Sequence, residues 1–285
     1  TDMLTRAAID GVEFPTDKGN IGLFLYADGE ASQPYGDGYE NVQYTYNSTK
    51  SKWTASPSVK VGSTPGYLYG YYPYNAANTD VKAIPVLSSV NGDDVMYASK
   101  QEQPITDLTA ANTSIKMNHA LARVAIKVIN NGYTGEAKLS SIKFEGATIA
   151  NSGTLNATDG IIKASKADEV ALSVPAAEQT IATGDGSTYE CLLVPSSINS
   201  NRQTVTLSLT IDGEVKSVTL SGGNGVIFNQ GVKSTIKITL SNTGIALKSV
   251  SINDWQTVKV GEHTVTVKCA NDITPAIPLL SMDMR

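Results

Sequence analysis

The stretch that decides the fold is residues 117–130, MNHALARVAIKVIN. After Leu121 its apolar residues fall at Val124, Ile126 and Val128, with Arg123, Ala125 and Lys127 between them. That is a period of two, the pattern of a strand with one buried face and one wet face. The stretch also divides the chain. Residues before it are rich in Tyr, Pro and Gly and read as broken strands; those after it alternate more cleanly. It therefore reads as the first strand of a second domain.

Toward the C-terminus, strands are expected at 139–145, 154–156, 161–163, 188–194, 204–211, 214–220, 234–240, 246–252 and 262–268. Asp212-Gly213, set between two alternating runs, is the strongest hairpin signal, and Asn131-Gly132 is a further turn. Residues 165–172 allow one short helix. Toward the N-terminus the strands fall at 21–26, 42–46, 67–74, 81–87 and 94–97, and the turn 47–52 leads into Trp53. A polar connector at 106–112 marks the boundary. Strands at a spacing of about 8–12 residues with Gly, Asn and Asp turns indicate an all-β fold of sandwich type rather than α/β. The expected organisation is a domain at 1–112 with a tail at 1–6, a second domain at 113–270, and an extension at 271–285.

A length of 285 residues accommodates two domains of about 150 each. Hydrophobic residues at 41% and charged ones at 17% describe a globular chain that can bury a core in each half. A net charge of −5 offers no basic patch for phosphates, which excludes nucleic acid as a partner. No apolar run reaches the ~20 residues of a membrane-spanning helix. The chain opens at Thr1-Asp2 without Met, so a leader that is either removed or not included in this sequence is expected. Cys191 and Cys269 lie far apart in strand-like runs and read as small buried hydrophobes, a disulfide between them remaining open.

Catalytic signals are sparse. His119 and His263 each lie beside or within a strand and read as structural hydrogen-bonding residues. There is no Gly-x-Ser-x-Gly elbow, no His-Glu-x-x-His, no Gly-x-Gly-x-x-Gly and no phosphate-cradling Gly-Lys-Ser/Thr. Asp93-Asp94 lacks the further spaced oxygen ligands of a Ca²⁺ cage and reads as a solvated turn. Asn47, Asn112 and Asn156 head Asn-x-Ser/Thr triplets, which mark surface turns. No enzyme activity, metal or cofactor is expected.

The most aromatic window is YLYGYYPY at 67–74. Tyr67, Tyr69, Tyr71, Tyr72 and Tyr74 form a candidate ligand surface for a sugar or a partner protein. The alternative is that alternate tyrosines pack on a sheet with their hydroxyls at its rim.

Five blocks taken together resemble the fimbrillin family of Bacteroidetes, the subunits of type V pili. They are GYLYGYYPYN (66–75), MNHALARVAIKV (117–128), YECLLVPSS (189–197), FNQGVKSTIKITL (228–240) and SINDWQ (251–256), and they occur in the family's order. The resemblance implies two β-sandwich domains of transthyretin-like topology and a role in assembly rather than catalysis. It implies a lipoprotein precursor carried to the outer membrane, touching the membrane only through the leader that is later removed, and a fimbrial subunit at the cell surface. Its partners are other fimbrial subunits; the alternative is a tip or accessory adhesin that binds a host glycan or protein. It further implies that a protease removes an N-terminal segment after Arg or Lys, opening a groove that a neighbour's C-terminal strand fills. Mechanistically this is β-augmentation.

Two places match those roles. Arg6, in Leu4-Thr5-Arg6-Ala7-Ala8, is the candidate cleavage point, set against an ordinary Arg in a frayed tail. Ile277, Leu279, Leu280, Met282 and Met284 are the candidate donor-strand residues. Ile277 and Leu279 are out of phase with Leu280, Met282 and Met284, so a bulge or bend is needed to keep them on one face. Pro275 and Pro278 also interrupt the ladder, which keeps a tail docked on its own chain as the alternative.

Overall fold

With no sustained helical period to follow, the regular structure among the described residues is strand, apart from two short 3-10 turns. The computed structural model describes residues 8–10, 13–55, 59–61, 66–90, 92–99, 113–146, 148–165, 169–196, 204–255, 258–265 and 268–269. The first strands are β1 (Ile21–Tyr26), β2 (Pro34–Asn47), β3 (Lys52–Ala55), β4 (Lys60–Val61), β5 (Tyr67–Tyr72), β6 (Ile84–Leu87) and β7 (Ser89–Val90). Next come β8 (Met96–Ala98), β9 (Thr113–His119), β10 (Ala122–Asn130), β11 (Leu139–Glu145), β12 (Ser152–Leu155), β13 (Ile162–Ser165) and β14 (Glu169–Ser173). The last are β15 (Ser187–Leu193), β16 (Thr204–Ile211), β17 (Glu214–Ser221), β18 (Val232–Ser241), β19 (Gly244–Asp254), β20 (Val258–Val265) and β21 (Lys268–Cys269).

Two assemblies result. The strands β1-β2-β3-β20-β9-β8-β5 close into a barrel around Leu23, Tyr44, Trp53, Leu68, Met117 and Val260. The sheets β19-β18-β10-β15-β7 and β14-β11-β16-β17 form a sandwich whose core includes Val124, Ile126, Phe144, Leu207, Phe228 and Ile236. A third cluster, with Phe24, Tyr69, Leu121, Leu192 and Trp255 among its members, joins the two. The halves also share strands: β6 pairs with β12, and β7 with β15. Cys191 is a free thiol buried in the sandwich core, where burial pushes its pKa upward.

The 117–130 stretch is two strands, not one. Residues up to His119 lie in β9, which pairs with β8 and β20 in the barrel, while β10 pairs with β15 and β18 in the sandwich. The chain changes sheets at Ala120-Leu121, both fully buried, where the Ala120 N–H donates to Val95 and the Leu121 carbonyl accepts from Gly231. The boundary expected after residue 112 thus precedes a strand that pairs with the barrel, and β20 returns to the same barrel from the far end of the chain. Nor is the second face of β10 wet throughout: Arg123 and Ala125 are buried. Of the window allowed a helix at 165–172, the described residues are strand: Ser165 ends β13 and 169–172 lie in β14. Val170 and Leu172 alternate inward on β14, which pairs with β11, so period two was present in that window and burial decided it.

The Asp212-Gly213 hairpin forms as read, with Ile211 opposite Glu214. Both turn residues have positive φ, 51° and 81°, which Asp and Gly tolerate. Asp212 also organises its surroundings, accepting from the Lys138 N–H at 2.8 Å, the Ala137 N–H at 3.0 Å and the Tyr133 hydroxyl at 2.9 Å. These donors, the Lys138 N–H foremost, hold its pKa below the ordinary carboxylate value. A depressed folded pKa adds stability above the unfolded value of about 3.9 and loses it as pH falls below. Asp212→Asn should therefore be less stable than the parent at neutral pH. The gap should narrow in denaturant titrations carried down through pH 4 and below, and a gap independent of pH would remove the charge from this account.

Candidate functional site

The first described residues run into the joint between barrel and sandwich. Ile9 is 2% exposed, and both its backbone polar groups are taken by side chains. Its N–H donates to Asp94 Oδ2 at 3.3 Å, and its carbonyl accepts from the Trp255 indole N–H at 3.1 Å. Asp10 meets the Arg123 guanidinium at 2.5 Å. Further on, Phe14 enters the barrel core, edge-on to Trp53 and Tyr72 with ring centroids at 5.6 and 5.0 Å.

The residues that hold this segment, directly or through one another, come from six places in the chain. Arg123 opens β10, and β15 runs antiparallel beside it so that Glu190 lies opposite Ala125, on the same sheet face as Arg123. The Arg123 Nε contacts Glu190 at 2.6 Å, and Lys233, Arg123's parallel neighbour on β18, approaches the other Glu190 oxygen at 3.6 Å. Trp255, immediately beyond β19, lies with its ring 5.4 Å from the guanidinium carbon and is stacked on His119 at 3.5 Å, with planes 10° apart. His119 Nδ1 meets Asp94 Oδ2 at 2.8 Å.

Burial works against the Arg123 charge, but the bonds to Glu190 and Asp10 outweigh it and raise its pKa. Asp94 goes the other way. Burial pushes its carboxyl upward, and His119 offsets this only in part. Its second oxygen is buried and has no hydrogen-bond partner among the described residues. The solvated turn expected at Asp93-Asp94 is thus corrected at Asp94, which is fully buried and paired across 25 residues. His119 has the structural bonding role expected of it. With His119 and Asp94 fully buried, the pair lacks the solvent access that acid–base turnover requires, and it acts as a clamp. Among the described residues no group of His, Cys, Asp and Glu is placed to hold a metal.

The tyrosine window is mostly core. Tyr69 and Tyr71 are fully buried and Tyr72 is 4% exposed. The Tyr69 hydroxyl donates to the Gly29 carbonyl and that of Tyr72 to the Lys18 carbonyl, while the Tyr71 hydroxyl lies within hydrogen-bond distance of Asn41 Oδ1 and the Asn75 carbonyl, one of which takes its proton, and accepts from the Asn75 N–H. A Cβ on Gly22 would lie 2.1 Å from the Tyr71 ring, so glycine there is what lets the ring lie across β1. Of the five candidate tyrosines only Tyr67 and Tyr74 are partly exposed. An open cleft of about 340 Å³ lies beyond them, between Tyr72-Pro73 and the edge of β6. Arg6 and the candidate donor residues Ile277, Leu279, Leu280, Met282 and Met284 lie outside the described residues.

The barrel has a thin seam. Among the described residues β3 and β20 share one register pair, Trp53 with Val265. In the barrel core the Trp53 indole N–H and the Tyr44 hydroxyl are buried and have no hydrogen-bond partner among the described residues. Each such orphan costs about 1–3 kcal/mol.

The profile of the fimbrillin-like family matches residues 5–255. A crystal structure of a candidate cell adhesion protein from Bacteroides uniformis superposes with a TM-score of 0.57 at 18% identity, over 83% of this chain and 91% of that one. A second such protein, from Bacteroides ovatus, gives 0.55 at 19% identity, over 87% and 91%. At these identities the two structures show a shared fold. No curated protein matches the chain.

The clamp predicts local control of the N-terminal segment. Asp94→Ala strands the Ile9 N–H and His119 Nδ1, at about 1–3 kcal/mol for each buried group. Amide exchange at Ile9 should rise at least about tenfold more than at Ile126 in the sandwich core. Equal acceleration at both amides would mean that residues 9–10 open only with the whole molecule.

Proposed function

The chain belongs to the fimbrillin-like family; from that premise we propose that it is a fimbrial adhesion subunit exposed at the cell surface and that it assembles by protease-triggered strand exchange. The observation that carries this reading is the barrel seam, where β3 and β20 share one register pair and the barrel core holds two donors without partners among the described residues. A strand added there gains backbone hydrogen bonds and brings acceptors within reach of Trp53 and Tyr44. The donor in this reading is the 271–285 segment of a neighbouring copy, seating Ile277, Leu279, Leu280, Met282 and Met284. The trigger is cleavage after Arg6, three residues before Ile9. The clamp at Asp94, Trp255 and Arg123 would then keep the new N-terminus ordered while residues 1–6 leave. Export as a lipoprotein precursor and display at the outer membrane complete the proposal.

The adhesin alternative is less well supported, because Tyr69, Tyr71 and Tyr72 are committed to the core and do not offer an aromatic platform to a glycan or host protein.

Treatment with an arginine-specific protease should release residues 1–6 and convert monomer into long oligomers, read by sedimentation and N-terminal sequencing. Arg6→Ala should stay monomeric, and a chain ending at residue 270 should be cleaved yet fail to polymerise. Fibres from the shortened chain would show that the tail is not the donor.

A further inference from the structure

Among the described residues Asp94 is the one carboxylate whose side chain is fully buried. Buried charges are normally paired, and a buried oxygen left without a donor points to an absent ligand, ion or water. Asp94 is only half served. Oδ2 takes His119 Nδ1 at 2.8 Å and the Ile9 N–H at 3.3 Å, while Oδ1 has no partner among the described residues. The groups that bear on its charge are His119 from β9, Arg123 from β10 and Tyr72 from β5. Arg123 acts from a distance, because its guanidinium is already taken by Asp10 and by Glu190 of β15, which Lys233 of β18 also approaches. His119 adds charge only when protonated. Asp94, the exposed Asp93 beside it, Asp10 and Glu190 thus stand against two lasting cations, Arg123 and Lys233, and the joint is short of positive charge.

The proposed cleavage supplies a cation two residues upstream of Ile9. Hydrolysis adds water across the Arg6–Ala7 peptide bond: the hydroxyl goes to the Arg6 carbonyl carbon and a proton to the Ala7 nitrogen. The free amine takes one more proton at neutral pH, since the ordinary α-amino pKa is about 7.7–8.0. Two residues span at most about 7 Å. The Ile9 nitrogen is already 3.3 Å from one oxygen of Asp94, so the new terminus begins within reach of the other. Neighbouring backbone nitrogens that converge on one anion form a recurrent binding nest. Ala7 and Ala8 carry only methyl side chains, and Ala8 is partly buried against the cluster that joins barrel and sandwich. The turn such a nest needs is therefore sterically undemanding.

We propose that Asp94 is the receptor for the N-terminus that cleavage creates, its free Oδ1 taking the α-ammonium of Ala7 while Oδ2 keeps Ile9 and His119. The inference rests on cleavage after Arg6 and adds to it a reason why the cut is felt inside the fold. In the uncleaved chain the nitrogen of residue 7 is a neutral amide and brings no charge. Cutting one bond adds a unit of positive charge beside the His119–Trp255 stack that ties the two halves together. The ammonium favours the ionised carboxylate, against the burial that pushes the Asp94 carboxyl upward. Asp94 in turn raises the pKa of the amine. A raised amine pKa lends stability that is full below the ordinary value and is lost as pH rises through the raised one.

The test uses the chain from residue 7 to 285, released from an N-terminal fusion by a site-specific protease, so the natural cleavage point does not enter. The α-amine is titrated by pH-dependent labelling, read by mass spectrometry of the N-terminal peptide. Its pKa should lie at least about one unit above the ordinary value. Asp94→Asn should return it to that value, whereas Asp93→Asn at the exposed neighbour should leave it raised. Amide exchange at Ile9 near about pH 6.5 should be at least about tenfold slower with a free amine than in the Nα-acetylated chain. That gap should close as pH rises through the raised pKa. Thermal unfolding confirms that each variant is folded. An ordinary amine pKa in the parent, a raised one that survives Asp94→Asn, or equal Ile9 exchange in free and acetylated chains would each overturn the proposal. A chain that forms the pair yet never polymerises would leave it standing and remove strand exchange instead.

Discussion

The stack of His119 on Trp255 is the contact on which the arrangement of the two halves depends. His119 ends the last barrel strand before the crossover, and Trp255 follows the last sandwich strand before the return. Their rings at 3.5 Å therefore bring together the two places where the backbone passes between assemblies. Everything polar at the joint is arranged around that stack. Asp94 fixes the imidazole from one side, Arg123 lies near the indole from the other, and the backbone of Ile9 closes the gap between Asp94 and Trp255. Flat rings pack closely while keeping polar edges, so a buried joint can be apolar across its faces and still satisfy a passing strand of backbone.

Such a joint carries an electrostatic cost, and the structure shows how it is divided. Arg123 is buried but shares its charge with Glu190 and Asp10, one mostly covered and the other largely exposed. Asp94 has one oxygen doubly engaged and the other without a partner among the described residues, and burial prevails over its partners and raises its pKa. Removing either charged group alone would leave its counterpart stranded, which costs more than the intact pair contributes. The polar joint thus specifies one docking of the N-terminal segment more than it adds stability.

Much of the sandwich was legible in the sequence because its strands alternate. The strands at 139–145, 204–211 and 214–220 fall where the pattern put them, and the Asp212-Gly213 turn forms with both residues at positive φ. The barrel was less legible for a physical reason. It is closed by β9 and β20, which come from opposite sides of the sandwich in the sequence, and period two says which residues face inward but not which strand they will pair with. The break at Ala120-Leu121 was hidden because both residues are apolar and continue the run without a turn residue. At the site, the bonding role of His119 followed from its place at a strand end. The burial of Asp94 could not be read from Asn91-Gly92-Asp93-Asp94, since its partners lie 25 and 85 residues away. The tyrosine window allowed two readings, and only the neighbouring strands β1 and β8 decided between them.

Topology gives the barrel a property that neither half of the chain has alone. Its seam is made by β3, from the first fifth of the chain, and β20, from the last tenth. β20 is tied on its other side to β9 and leads directly toward the C-terminal residues. Phe14, just beyond the clamped segment, packs on Trp53 at that seam. A change at either terminus therefore reaches the same few contacts: at the N-terminus through Phe14 and the clamp, and at the C-terminus through β20. Among the described residues β20 pairs only with β3 and β9, so it shares no ladder with the sandwich sheets, and its contact with β3 is the one with the fewest register pairs in the barrel.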